Sequence, residues 1–196
     1  TDDACYRAMD WLLEVQPALE REVFHAVASL LSLEVDLLFF DTTSTYFETD
    51  EADEPLPRDE RGELLGAEAD HEAARTSGFR GYGHSKDHRP DLPQVVVGMA
   101  VTREGIPVRV WSWPGSTSDS ALIRQVKDDL REWTLGRVVW VTDRGFASEK
   151  NRRHLRRGDA HYTMAEKLRS GSAEAKAALA RAGRGQEVAG GLRVKE

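Results

Sequence analysis

The sequence is poor in two features that would narrow its class at once. It has one cysteine among 196 residues, Cys5, which excludes an internal disulfide framework and a cysteine-based zinc site and is typical of a reducing compartment. Its longest apolar run, Val95 to Val101, contains a glycine and is far shorter than the roughly 20 residues that a transmembrane helix needs. The sequence therefore predicts neither disulfides nor a membrane span.

The composition is that of a soluble globular protein, with 40% hydrophobic and 31% charged residues. The net charge of −7 is unevenly distributed, because residues 1–47 carry −7, residues 48–72 carry −9 and residues 73–196 carry +9. Such an asymmetry indicates a polyanionic partner such as nucleic acid. The alternative is a solvated basic face beside an acidic loop.

Three segments can be distinguished. Residues 1–34 are predicted to form an N-terminal helical segment of two helices, because Pro17 is expected to end the first and begin the second. Residues 35–196 are predicted to form the main domain. Within it, the acidic stretch 48–79 is rich in Pro, Gly and Ala and is interpreted as an excursion with little regular structure.

Apolar runs and helical periodicity predict the elements of the main domain. A hairpin followed by alternating helices and strands is typical of a mixed sheet with helices on its faces. The predicted elements are a strand at Val35–Phe40, a hairpin of Val95–Thr102 and Ile106–Trp113, a helix at Asp119–Trp133, a strand at Val138–Val141, a short basic helix between Ser148 and Gly158, and a last strand at His161–Ala165.

Two of the predicted strands end on an aspartate, Asp41 and Asp143. In open α/β sheets the working crevice lies beyond the carboxyl ends of the strands. If the two strands are parallel neighbours, their carboxylates share one site, and two anions about 5 Å apart repel by roughly 3 kcal/mol at an effective dielectric near 20. Such a site favours a hard divalent cation, Mg²⁺ or Mn²⁺. The alternative is that each Asp only caps a turn.

Basic residues near these aspartates are candidates for phosphate contacts. Arg144 directly follows Asp143, and the short helix after it is half basic. Lys86 and Arg89 lie in a Gly- and Pro-rich loop together with an aromatic residue, Tyr82. The alternative is that all of these charges are solvated. The candidates in the short helix are Lys150, Arg152, Arg153, Arg156 and Arg157.

Four motifs together resemble a known family. The sequence DTTSTYFE occupies 41–48, GYGHSKDHRPDLPQ occupies 81–94, WPGSTSD occupies 113–119 and VTDRGF occupies 141–146. In this order they resemble the catalytic core of bacterial insertion-sequence transposases of the DDE type, in the "insertion sequence four" superfamily. The resemblance extends from about residue 5 to the end of the sequence.

The resemblance implies an α/β fold of the ribonuclease H-like, retroviral-integrase type: a mixed five-stranded sheet with helices on both faces. Asp41 and Asp143 would be the first two catalytic acids and would bind two Mg²⁺ or Mn²⁺ ions. The activity would be cleavage of transposon-end DNA followed by strand transfer into target DNA. The partners would be transposon ends and target DNA, the assembly a homodimer without a membrane, and the location the bacterial cytoplasm, with the nucleoid.

The third acid of that family, a Glu in a Tyr-x2-Arg-x3-Glu-x6-Lys setting, has no matching pattern in these residues. We therefore expect a piece of a longer protein, with the third acid beyond Glu196 and a DNA-binding part before Thr1. Two alternatives remain open. The chain could be an inactive transposase remnant that only binds DNA, or a ribonuclease H-like nuclease without strand transfer.

Overall fold

The computed structural model describes most of the chain. The residues described are 2–31, 35–59, 61–66, 75–133, 135, 138–158, 160–166, 173–181, 185–189 and 192–194. They belong to two compact units, Thr1–Met164 and Ala165–Glu196.

The first unit is an α/β structure around one large sheet. It includes two turns of 3₁₀ helix, Arg131–Trp133 and Arg144–Phe146. Its described elements are α1 (Asp2–Leu31), β1 (Leu37–Tyr46), β2 (Leu56–Arg58), β3 (Arg75–Ser77), β4 (Gln94–Thr102), β5 (Pro107–Pro114), α2 (Asp119–Leu130), β6 (Val139–Thr142), α3 (Glu149–Leu155) and β7 (His161–Met164).

The large sheet has five strands in the order β5-β4-β1-β6-β7. The strand β4 is antiparallel to both β5 and β1, whereas β6 is parallel to β1 and β7 is parallel to β6. An antiparallel meander of three strands, extended by two parallel strands that each follow a helix, is the ribonuclease H-like arrangement. The predicted mixed five-stranded fold is therefore confirmed.

The core lies on one face of this sheet. Alternate residues of β1, such as Leu38 and Phe40, pack there against Ile123 and Val126 of α2 and Leu155 of α3. Phe24 of α1 joins the same cluster. The opposite face carries partly exposed apolar side chains, namely Phe39, Met99 and Val110. Among the described residues of this unit, the helices that build the core thus lie on one face, and the predicted helices on the second face stay a prediction.

The N-terminal segment differs from the prediction in one respect. Residues 2–31 form a single helix, α1, with Pro17 inside it, so the predicted break at Pro17 is wrong. Proline removes one donor and clashes with the preceding turn, but this cost does not end a helix whose residues on both sides favour the helical state. Within the described residues, none of the helices is long and apolar enough to cross a membrane.

Two strand predictions were also incomplete. The strand β1 does not end at Asp41 but continues to Tyr46, paired with β4. The acidic excursion contains a small antiparallel sheet of β2 and β3, in which the buried Arg58 donates to the carbonyls of Ser77 and Gly62 at 3.1 and 2.8 Å. Residues 60 and 67–74 of the excursion lie outside the described residues.

The second unit contains one described helix and two strands. The helix α4 spans Ala173–Ala180. The strands β8 (Gln186–Ala189) and β9 (Leu192–Val194) form an antiparallel pair.

Candidate active site

The two aspartates singled out in the sequence lie side by side in the sheet. The strands β1 and β6 are parallel, and their register pairs Phe40 with Thr142. Asp41 and Asp143 are the next residues of the two chains. Neighbouring strands lie about 4.8 Å apart. The two aspartates therefore lie side by side at the level where β6 ends. The structure thus meets the condition that these residues be parallel neighbours.

Asp143 is positioned by a short turn. Its Oδ1 accepts a hydrogen bond of 2.7 Å from the backbone N–H of Gly145 and so caps the 3₁₀ turn Arg144–Phe146. A Cβ atom on Gly145 would lie only 2.9 Å from that Oδ1, so the absence of a side chain permits this close approach. The turn thus binds one oxygen of the Asp143 carboxylate and orients the side chain.

Asp41 is positioned by the alternation of β1. Phe40 and Thr42 point into the core, so Asp41 points to the opposite, exposed face. Its Oδ1 accepts a hydrogen bond of 2.7 Å from the backbone N–H of Thr42. Below the two acids, the buried rings of Phe40 and Phe146 pack with centroids 5.3 Å apart. This contact joins the residue before Asp41 to the turn after Asp143.

Both aspartates line one open cleft of about 560 Å³ on the exposed face of the sheet. Apolar side chains form much of its wall. In the described part of the chain, no Lys, Arg or His forms an ion pair with either carboxylate. Two adjacent carboxylates beside an apolar wall, without an ion-pair partner among the described residues, are a donor set suited to a hard divalent metal ion. The apolar wall residues include Val97, Met99, Val101 and Val141.

The described residues contain no group of three or more His, Cys, Asp or Glu side chains that could hold a metal ion. The site as described therefore supplies two protein carboxylates. The position of a third acid stays a prediction.

Lys86, predicted to contact DNA, is an exposed residue whose side chain bonds to groups of the protein itself. Its ammonium group donates to the carbonyl oxygen of Thr42 and, at 2.9 Å, to the Thr42 hydroxyl. It also lies 3.3 Å from the carboxylate of Asp119 at the start of α2. The backbone N–H of Lys86 donates to the Ser44 hydroxyl at 3.0 Å. The loop is thereby fastened to β1 next to Asp41, a role that the loop's composition did not indicate.

The other two predicted contacts differ in their surroundings. Arg89 forms an ion pair of 2.7 Å with Asp91 and lies over the ring of Tyr46. The hydrogen bond from Arg89 lowers the pKa of Asp91 and raises that of Arg89. Arg144 is exposed in the turn beside Asp143. Of these two, Arg144 is nearer in sequence and structure to the carboxylates.

The five basic residues of the short helix point in different directions. Ser148 caps this helix, α3, through a 3.2 Å bond from the N–H of Asn151. Arg152 is largely buried beside Glu149, and Arg156 lies over the ring of Tyr162. The remaining members, Lys150, Arg153 and Arg157, are exposed and line a second cleft.

Comparison with known proteins gives one family match and several weak structural likenesses. The model of a family described as "Transposase DDE domain" matches residues 55–193. This range includes Asp143 but begins after Asp41. No curated protein matches the chain at a significant level.

The solved structures that resemble it are also transposases. The Mos1 transposase paired-end complex with left transposon end is 11% identical at a TM-score of 0.36, and the match covers 74% of this chain and 40% of that chain. The piggyBac transposase synaptic complex with hairpin DNA is 15% identical at a TM-score of 0.40, with 70% and 24% covered. This chain thus spans less than half the length of either protein. The assignment rests on the family match, which covers well over half of the sequence, and on that match this chain belongs to the family of transposase DDE domains.

Proposed function

We propose that this chain supplies the first two acidic residues, Asp41 and Asp143, of a transposase active site that cuts transposon-end DNA and joins it to target DNA. The observation that carries the proposal is the parallel register of β1 and β6, which pairs Phe40 with Thr142. The family supports DNA transposition in general terms. The "insertion sequence four" grouping, the target DNA and a homodimer on paired ends are parts of the proposal.

The two carboxylates would bind Mg²⁺ or Mn²⁺, and the two ions expected from the resemblance would activate the attacking oxygen and stabilise the leaving oxygen. The chain itself contributes orientation. The N–H groups of Thr42 and Gly145 each hold one oxygen of an aspartate, and the packed rings beneath fix the distance between the two backbones. Both acids would act as ligands, not as proton donors.

Basic residues around the acids would hold the DNA backbone. Arg144 is exposed next to Asp143, and its guanidinium group can pair with a phosphate in a bidentate manner. Arg89 is already paired with Asp91, so a phosphate would have to compete with that carboxylate.

The proposal is tested by metal binding to the 196-residue chain. Asp41→Asn and Asp143→Asn each remove one anionic ligand and almost no volume. We expect each to weaken Mn²⁺ binding by at least about tenfold, since an opposite charge at ligand distance contributes more than 1.4 kcal/mol. Titration followed by electron paramagnetic resonance measures the free Mn²⁺. In a protein extended past residue 196 to carry the third acid, nicking of supercoiled plasmid with Mn²⁺ should fall in parallel.

Asp36→Asn is the matched control. Asp36 lies just before β1, at the opposite edge of the sheet, and pairs with Arg103 at 2.5 Å. This variant loses the same charge and should bind Mn²⁺ as the parent does. Wild-type Mn²⁺ affinity in both Asp41→Asn and Asp143→Asn would contradict the proposed site.

A second candidate is a unit that binds DNA without cutting it. It is favoured by the observation that the described residues hold no third acid near the pair. DNA binding without nicking, at any concentration of Mn²⁺ and in a protein extended past residue 196, would support this candidate. Nicking without joining of a pre-cut DNA end would instead indicate a nuclease.

A further inference from the structure

A second cleft, of about 610 Å³, lies between α2 and α3. We call it the α2–α3 groove. Its lining is dominated by basic side chains from three separate parts of the sequence, with one carboxylate among them. These charged residues are Arg61, Arg124, Lys150, Arg153, Arg157 and Asp128.

Only some of the basic residues in and just after α3 line the groove. Lys150 and Arg153 lie three residues apart on α3, which places them on one face of the helix, and Arg157 lies two residues after the end of α3. All three line the groove. Arg156 does not line it, because its guanidinium group lies 5.7 Å from the ring centroid of Tyr162 and donates to the Tyr162 hydroxyl at 3.2 Å.

The positive charge in the groove is only partly balanced. Asp128 is held by His154 at 3.0 Å, and Arg61 pairs with Asp129 at 3.2 Å. Arg124 donates to the neutral amide oxygen of Asn151, so its charge stays uncompensated. Among the described residues, neither Lys150 nor Arg157 has a carboxylate partner. An excess of fixed positive charge in a concave surface attracts a polyanion.

Arg153 adds to this excess. It lies 3.6 Å from Glu149, and its side chain is 74% exposed. An exposed ion pair of this kind contributes little to stability, so Arg153 can leave Glu149 and bind a phosphate at a small cost in free energy.

The groove begins at the edge of the sheet where the acids lie. The strands β5 and β6 run in the same direction as β1, and the helices α2 and α3 each follow one of these strands. Both helices therefore start at the carboxyl edge on the core face of the sheet and run away from it, whereas Asp41 and Asp143 line the cleft of the opposite face, so that DNA leaving the groove would pass around this edge to reach them. From Lys150 to Arg157 the groove extends by about 10 Å along the helix axis, which corresponds to about three phosphates of one DNA strand.

We propose that the α2–α3 groove binds the phosphate backbone of DNA and leads it to the Asp41–Asp143 edge. The partner is taken as DNA because the proposal rests on the proposed function. Recognition would be through phosphates and therefore independent of base sequence. The residues that carry it are Lys150 and Arg153 on α3 and Arg157 just after it, with Arg61 and Arg124 opposite.

The test is DNA binding by the whole chain in EDTA, so that no metal ion contributes. A fluorescent 30-base-pair duplex of mixed sequence is titrated at several salt concentrations. Relative to the parent, Arg153→Ala/Arg157→Ala should lose affinity on the order of tenfold, and the slope of log K against log salt should become shallower by about 1.8. Both side chains are exposed, and thermal unfolding should confirm that the fold is kept.

Arg7→Ala/Arg21→Ala is the control of equal charge. Both of these arginines are exposed on α1, so this double variant should keep the parent's salt slope. Arg156→Ala adds a finer comparison within the same basic run, and it should lose less affinity than Arg153→Ala. The proposed DNA-binding role of the groove would be overturned by equal losses of DNA affinity in Arg153→Ala and Arg156→Ala. It would also be overturned by a parent-like salt slope in Arg153→Ala/Arg157→Ala.

The two proposals fail separately. Asp41→Asn and Asp143→Asn should bind the duplex in EDTA at least as tightly as the parent. If Asp41→Asn and Asp143→Asn lose Mn²⁺ binding while Arg153→Ala/Arg157→Ala keeps the parent's DNA affinity, the DNA-binding role of the groove is wrong and the proposed active site stands. If both aspartate variants keep Mn²⁺ binding, the proposed active site is wrong, whatever the DNA affinity of the groove variants.

Discussion

Lys86 is held between a strand and a helix at the edge of the sheet where Asp41 lies. It donates to the carbonyl and hydroxyl oxygens of Thr42 and faces Asp119. The composition of its loop, with Tyr82 and Arg89 close in sequence, is equally typical of a nucleic-acid contact. Only the tertiary structure separates the two roles, because Thr42 and Asp119 lie far from the loop in sequence.

This residue gives a prediction that distinguishes a structural tether from a DNA contact. Lys86→Met keeps most of the side-chain volume but leaves the Thr42 oxygens without their charged donor. We expect the free energy of unfolding to fall by about 1–3 kcal/mol, the usual range for a hydrogen bond to a charged group. Denaturant unfolding measures the loss.

Arg144→Ala is the matched comparison at the same edge. Arg144 is exposed, so its removal should change the unfolding free energy little and weaken DNA binding. If Lys86→Met unfolds like the parent and instead loses DNA affinity as Arg144→Ala does, Lys86 is a DNA contact and the tether is wrong.

At the scale of elements, the sequence predicts the strands of the large sheet well. Each has apolar residues on the core face, and burial on that face makes the runs recognisable. The end of β1 could not be read in this way. Its apolar run stops at Phe40, but Thr42 and Ser44 are buried as hydroxyl residues that bond to Lys86, so the strand continues in polar residues.

The candidate site could be predicted only in part. Two aspartates at strand ends are visible in the sequence, but their adjacency depends on the pairing of β1 with β6, a contact between segments about a hundred residues apart. The α2–α3 groove could not be predicted, because Arg61 and Arg124 belong to no basic run. A run of charges in a sequence shows how many there are and not which of them share a surface.

One half-buried lysine, Lys127, joins α2 to the end of α3. The Nζ of Lys127 donates to the carbonyls of His154, Leu155 and Arg157 at 3.0, 2.8 and 2.8 Å. These carbonyls lie at the C-terminal end of α3, where the helix leaves its acceptors unpaired. Burial lowers the pKa of Lys127, and the three acceptors offset part of the cost of desolvating its charge.

We therefore expect Lys127→Met to destabilise the first unit by about 1–3 kcal/mol, because three carbonyls at the end of α3 lose one charged donor. Arg131→Met is the control, since Arg131 is exposed just after the same helix and should have almost no effect. Thermal unfolding measures both. The role of Lys127 would be refuted by equal stability of the two variants.

At the scale of the whole molecule, the net charge gives little indication of function. The acidic residues are concentrated before residue 73, whereas the basic residues lie mainly after it. The α2–α3 groove draws its lysine and four arginines mostly from that basic part, and the acid pair combines one residue from each part. The distribution of charge along the chain is therefore more informative than its sum of −7.

The division into two compact units predicts where the stability of the chain lies. Every member of the hydrophobic core cluster, buried or partly buried, falls within residues 24–164, and all five strands of the large sheet lie in the first unit. A single core of this kind should fold as one cooperative body. We therefore expect a chain of residues 1–164 to keep a cooperative unfolding transition.

Tryptophan fluorescence is a suitable measurement for this prediction. All five tryptophans of the sequence lie in the first unit, and Trp111, Trp113, Trp133 and Trp140 belong to the core. The signal therefore reports on this unit alone, in the full chain as in residues 1–164. The matched control is a chain cut inside the sheet, at residue 160, which lacks β7 and leaves β6 as an unpaired edge. It should unfold at lower denaturant, and a 1–164 chain without a cooperative transition would show that the first unit does not fold by itself.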